Sequence, residues 1–169
     1  EITLMMDVAA TYVSESFMAV ANGTGKEGIQ GIEEREEEID LSNVRISKKI
    51  SKILVLDQTP KDVDTLNRMY SILGNIERIG DHAMNLGEYS ETIEQKNLTF
   101  SCYAKKEFQV MEETCREGME LLRKAAEGNP EFKLSMAEEI AQRIDDITLK
   151  FRQHQIARMR DGNCNVDSS

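Results

Sequence analysis

Apolar residues return at helical spacing almost without interruption along this chain, and the few glycines and prolines fall where that rhythm breaks. In a first segment, Thr3 to Ala21, the residues Met5, Ala9, Tyr12, Val13, Phe17 and Val20 share one side. Asn22-Gly23-Thr24-Gly25 is a stop-and-turn signal. A second segment, Lys26 to Asp57, repeats Ile29, Ile32, Ile39, Ile46, Ile50 and Ile53 at spacings of three, four and seven. As a helix it is about 48 Å long. Thr59-Pro60 ends it and opens a third segment with Leu66, Met69, Leu73, Ile76, Ile79, Ala83 and Leu86, running to about Gln95. After a polar break at Lys96-Asn97 comes a fourth, with Ala104, Phe108, Met111, Cys115, Met119, Leu122 and Ala125. Gly128-Asn129-Pro130 closes it. A fifth carries Leu134, Ala137, Ile140, Ile144, Ile147 and Phe151. Past Arg160, Asp161-Gly162-Asn163-Cys164-Asn165 reads as loop. No segment alternates as a strand does. The pattern predicts an all-α fold, an antiparallel helical bundle with long helices and short connections.

Two features of the order suggest an internal repeat. Shifting the chain by 105 residues aligns Met6 with Met111, Glu15 with Glu120, Glu33-Glu34 with Glu138-Glu139, and Ile39-Asp40 with Ile144-Asp145. The turn at Gly25 falls on Pro130, so turns and apolar faces coincide. On this reading the chain is a three-helix unit followed by two helices of a second. The fourth and fifth helices should then keep apolar faces open, or covered by a neighbouring chain.

Charge narrows the function. Lys+Arg number 21 against Asp+Glu 31, a net charge of -10, which argues against a nucleic-acid binder. It suits metal ions, basic partners or solubility. No apolar run is long enough to span a membrane, and no secretory signal is present. The chain does not begin with Met, which fits a piece of a longer protein. Cys102, Cys115 and Cys164 are odd in number and lack metal-site spacing, so reduced thiols are expected.

The candidate chemistry lies in acids. Glu77 and Asp81 are one helical turn apart and share a face, which Asn85 and Glu88 continue. Such a pair repels unless Arg, Lys or an oxygen-ligated divalent cation sits between them. Gly80, inside the same helix, costs about 1 kcal/mol against Ala. It is expected where another helix or an ion comes close. His82 points away from Asp81 and reads as a surface or partner-facing residue. On the second helix, Glu36 and Asn43 fall on the isoleucine side, with Glu33, Glu37 and Asp40 flanking. Glu36 either meets Glu77 and Asp81 across the interface or reaches water at the bundle's edge. Acidic pairs and runs such as Glu33-Glu34-Arg35-Glu36-Glu37-Glu38 are commonly solvated faces. No nucleophile elbow or phosphate-cradling loop occurs. Cys115 reads as core. His154 and Arg158 suit capping of the fifth helix, with anion binding as the alternative.

The stretch Asn75-Ile76-Glu77-Arg78-Ile79-Gly80-Asp81-His82-Ala83-Met84-Asn85-Leu86 resembles the signature of PhoU-like domains. Glu34 to Asp40 is similar to that family's acidic segment, and Gln58-Thr59-Pro60-Lys61-Asp62-Val63 to its Pro-containing turn. Arg143-Ile144-Asp145-Asp146 and His154-Gln155-Ile156-Ala157-Arg158-Met159 resemble parts of its second repeat. The resemblance implies three-helix repeats with an acidic motif on each third helix. Here repeat one spans about 3–97 and a truncated repeat two about 98–169, without the second acidic motif. It implies metal ligands at Glu77 and Asp81, with Glu36 and Asp40 contributing, for manganese, zinc, iron or magnesium. It implies no organic cofactor and a regulatory role in phosphate uptake rather than catalysis.

The family has two settings: a cytoplasmic domain fused to a sodium/phosphate cotransporter, and a free regulator of an ATP-driven phosphate transporter and its signalling. The ending His154 to Met159, followed by Asp161-Gly162-Asn163-Cys164, is more similar to the cotransporter tail. The expected partner is a phosphate transporter membrane domain, in the same chain or separate. Expected too are a homo-oligomer, no nucleic acid, no direct membrane span, and a cytoplasmic location as the cytosolic part of an inner or plasma membrane protein. One rival is a helical dimerisation module without metal. A di-metal carboxylate enzyme would need Glu three residues before His82 or His154, where Ile79 and Phe151 stand.

Overall fold

A computed structural model describes residues 1–23 and 25–162, without the side chains of 25–29. Among the described residues there are five helices and no strand: α1 Ile2–Asn22, α2 Gly25–Leu54, α3 Pro60–Gln95, α4 Cys102–Ala126 and α5 Leu134–Arg160. Adding 105 to the bounds of α1 and α2 gives 107–127 and 130–159, close to α4 and α5. The expectations for Thr24, for the Ile29 side chain and for Asn163-Cys164-Asn165 lie outside the described residues.

The helix ends follow local chemistry. Gly23 takes a left-handed φ of 62° and its N–H reaches the Ala19 carbonyl, closing α1. α2 stops at Leu54, three residues before the expected Asp57. There the Gln58 side chain donates to the Ile53 carbonyl at 3.2 Å and helps end the helix. α3 opens on a reciprocal cap: Thr59 Oγ1 accepts from the Asp62 N–H, and the Asp62 carboxylate accepts from the Thr59 N–H. Pro60 stands first in the helix, where its missing N–H leaves nothing unpaired. Ser101 caps α4 by accepting from the Ala104 N–H at 3.2 Å.

α1, α2 and α3 pack against one another, α4 packs on α1, and α5 packs on α4. The core joins Met5, Ala9 and Tyr12 of α1 to the α2 isoleucines Ile32, Ile39, Ile46 and Ile50 and to Leu66, Leu73, Ile76 and Ala83 of α3. Ile53, expected on that stripe, is 42 % exposed, because it lies at the last turn of α2 where the covering helices have run out. Met69 sits at the edge and is exposed.

The α4–α5 arm is different. Ser14 Oγ donates to Glu112 and Arg123 faces Asp7, tying α4 to α1. α4 and α5 meet where a Cβ on Gly118 would lie 3.2 Å from Ile140. Within α4, Thr114, Met119 and Leu121 are buried, whereas the expected Leu122 is 40 % exposed. Leu121 is covered in its place. Cys115 is only half-buried, and burial pushes its thiol up. α5 has no buried residue: Ile140, Ile144, Ile147 and Phe151 are half-covered and Leu134 is exposed. A cleft of about 1020 Å³ separates this arm from α1 and α3, lined by Phe17, Phe100, Phe108 and Phe151 among others.

Candidate functional site

The α2–α3 seam is set by two glycines. A Cβ on Gly80 would lie 3.2 Å from Ile39 Cδ1, and a Cβ on Gly87 only 2.7 Å from Ile32 Cδ1. The contacts are seven residues apart on both helices and run in opposite directions, which fixes an antiparallel register. Gly80 is therefore present for close helix approach, the first of the two reasons the sequence allows. Gly87, which sequence reasoning passed over, meets the tighter neighbour. A buried glycine seven residues after Gly80 was the available signal.

That register places the acids. Glu36 on α2 and Asp81 on α3 lie between the two contacts, and Asp40 and Glu77 lie just beyond the Gly80 contact. Glu36 and Glu77 are half-buried; Asp40 and Asp81 are exposed. Glu36 is thus neither a core carboxylate nor freely solvated. Burial pushes its carboxyl above the ordinary range, and the charges of Asp40, Asp81, Glu37 and Glu77 push the same way. Among the described residues no Arg or Lys lies within ion-pair distance of these four acids, while Arg35 is engaged by Glu15 and Glu38. The Asn85 side chain donates to the Asp81 backbone carbonyl at 2.8 Å, and His82 is exposed and apart. Asn43 accepts from Ser47 Oγ and is half-buried.

In chemistry these carboxylates are the type of ligand a hard, oxygen-ligated cation takes, with the Glu36 carboxyl pushed up by burial and by its acidic neighbours. In spacing the set is open, since among the described residues no three His, Cys, Asp or Glu side chains come together closely enough to hold a metal ion. The sequence also missed Tyr12. Its side chain is fully buried and, among the described residues, its hydroxyl has no hydrogen-bond partner. Burial pushes that phenol far up, followed by the charges of Glu36, Asp81, Glu88 and Glu33. On an apolar stripe a Tyr passes as core, and only the acids of two other helices reveal its hydroxyl.

A second polar cluster lies on the arm. Arg158 donates to both oxygens of Glu107, at 3.0 and 2.8 Å, and His154 Nδ1 stands 2.8 Å from the same carboxylate. Burial pushes Glu107 up, and hydrogen bonds from Arg158 and His154 more than offset it, holding the carboxyl below its usual range. His154 and Arg158 thus clamp α5 to α4 through an anion the chain itself supplies. Capping of α5, the duty expected of them, leaves out this interhelical bond.

No helix among the described residues is long and apolar enough to cross a membrane. A family model, PhoU domain, matches residues 2–90, which is 89 of the 169 residues and takes in α1, α2 and nearly all of α3. No curated protein and no solved structure matches the chain. PhoU domains are regulatory rather than catalytic, are tied to phosphate transport, and are typically cytoplasmic. With both acidic stretches and the glycine seam inside a match that covers more than half its length, the chain belongs to the PhoU domain family.

Proposed function

We propose that the chain is a non-enzymatic regulatory domain of a sodium-dependent phosphate cotransporter, acting from the cytoplasmic side through a divalent or transition metal ion at the α2–α3 face. The observation that carries the reading is the set Glu36, Asp40, Glu77 and Asp81. They lie inside the family match, along the α2–α3 seam, and among the described residues no Arg or Lys lies within ion-pair distance of them. Glu77 and Asp81 of α3 would hold the ion, and Glu36 and Asp40 of α2 would contribute. Bound there, manganese, zinc, iron or magnesium would supply positive charge that draws the two helices together. The partner is a phosphate transporter membrane domain, in the same chain or separate. A free-standing regulator of an ATP-driven transporter would use the same site.

Phosphate uptake tests the reading. In cells carrying Glu77→Gln/Asp81→Asn, radiolabelled phosphate uptake is expected to stop responding to external phosphate, and the purified chain to lose its metal. Uptake and metal content equal to wild type would sink the proposal. The open side of α5, with Leu149, Ile156 and Met159 exposed, supports a second reading as a self-association module. A tight dimer in sedimentation, unaffected by chelator, would favour it.

A further inference from the structure

Charge is divided along α2. From Glu33 to Asp40 stand six acids and one cation; from Leu41 to Leu56 stand Arg45, Lys48, Lys49 and Lys52 and no acid. All four cations are exposed, and their spacing puts them on one face of the helix. The buried Ile46 and Ile50 lie roughly a third of a turn round from them. The next positions in the same series are Val55 and Leu56. A last turn, closed by the Leu56 N–H on the Ile53 carbonyl at 3.0 Å, carries them past the end of α2. There they are 83 and 63 % exposed. The basic stripe therefore ends in an apolar tip.

The acids at this end are mostly engaged. Glu1 pairs with Lys49, Asp64 pairs with Arg68, and Asp62 is taken up in the Thr59 cap. Asp57, next to Leu56, is exposed. Among the described residues Arg45, Lys48, Lys52 and Lys61 form no ion pair. The surface is also held in shape, because Tyr70 donates to the Ser47 carbonyl at 2.9 Å and the Thr59 cap fixes the connection. Glu36 stands sixteen residues before Lys52, about 24 Å along the helix. At physiological salt that is more than two Debye lengths, so the acidic half scarcely opposes an anion at the tip.

We propose that the α2–α3 tip is a membrane-docking surface, on which Arg45, Lys48, Lys49 and Lys52 meet anionic phospholipid headgroups while Val55 and Leu56 enter the acyl boundary. The stripe alone suits any polyanion; the apolar tip selects one with an apolar interior. The end of a helical hairpin is convex, so it encloses no peptide but fits between headgroups. None of these residues belongs to the acidic seam, so the proposal stands apart from the cation reading.

Vesicles test it. The purified chain is expected to sediment with phosphatidylcholine vesicles containing about one third phosphatidylglycerol, less so as salt rises, and not with phosphatidylcholine alone. Lys48→Gln/Lys52→Gln should lower the partition coefficient about thirtyfold, roughly fivefold for each charge, with thermal unfolding unchanged. The chain has no Trp, so Leu56→Trp supplies a single reporter. Its emission should shift to the blue on anionic vesicles. Tyr103→Trp should not shift, since the antiparallel pairs Ser14–Glu112 and Asp7–Arg123 put the start of α4 at the far end of the bundle. No sedimentation with anionic vesicles, equal partitioning of the Lys48→Gln/Lys52→Gln chain, or no shift from Leu56→Trp overturns the proposal. Equally tight capture by soluble poly-glutamate, again without a shift, overturns it too and assigns the stripe to an acidic protein.

Discussion

α2 and α5 are both long amphipathic helices with isoleucines at helical spacing, yet they end in opposite situations. In α2, Ile32, Ile39, Ile46 and Ile50 are between 1 and 5 % exposed; in α5 no residue is buried at all. The difference is not in the pattern but in the number of neighbours. α2 is covered by α1 and α3, whereas α5 leans mainly on α4. Periodicity defines a face, and burial requires a second helix to close over it. Four of the chain's five Phe line the cleft between the arm and the rest, so aromatic area is concentrated where covering is thinnest.

The largest expected effect tests this contrast directly. Ile39→Ala should cost about 2–5 kcal/mol in urea unfolding, and Ile144→Ala only about 1 kcal/mol. Equal costs would mean that α5 is covered in solution. In native-state hydrogen exchange, α5 amides should lose protection in denaturant that leaves α2 intact.

The seam sharpens the contrast within one helix. Gly87→Ala should destabilise by about 1–3 kcal/mol, since its methyl meets the fully buried Ile32. Gly74→Ala, with nothing within 4 Å, should stabilise by about 0.5–1 kcal/mol. Matching signs in thermal unfolding would disprove the register.

Acid separates the two regions more gently. Glu107 is held below its ordinary pKa, so its contribution is present above that value and is lost as pH falls through the lowered one. Glu107→Gln should cost about 1–2 kcal/mol near pH 7, with the gap closing on acidification. Glu36 is held above its ordinary pKa, so the folded chain binds the proton more tightly and stability falls as pH rises through the raised value. Glu36→Gln should stabilise the metal-free chain by less than about 1 kcal/mol near pH 7 and have no effect near pH 3. Urea midpoints at both pH values check the opposite signs.

The five helices, the Thr59-Pro60 cap and the isoleucine face of α2 are legible in the sequence because each rests on neighbours within a few residues. So are the acidic stripes of Glu36 on α2 and of Glu77 and Asp81 on α3, since each helix carries its acids beside its own apolar stripe. What could not be read depends on separations of tens of residues. The Glu107 clamp spans 47 residues to His154. The exposure of Leu122 depends on a helix that does not cover it. The solitary Tyr12 hydroxyl has meaning only beneath carboxylates on two other helices.

Gly80 and Gly87 also restrict how this chain can vary in length. Deleting one residue between them would turn the rest of α3 by about 100°. Ile32 would then meet a side chain in place of Gly87. The same deletion would move Glu88 away from Tyr12 while leaving Glu77 and Asp81 in place. Helical phase therefore couples the packing of the seam to the arrangement of its charges, and insertions or deletions should be tolerated in the connection around Asn97 but not between the two glycines.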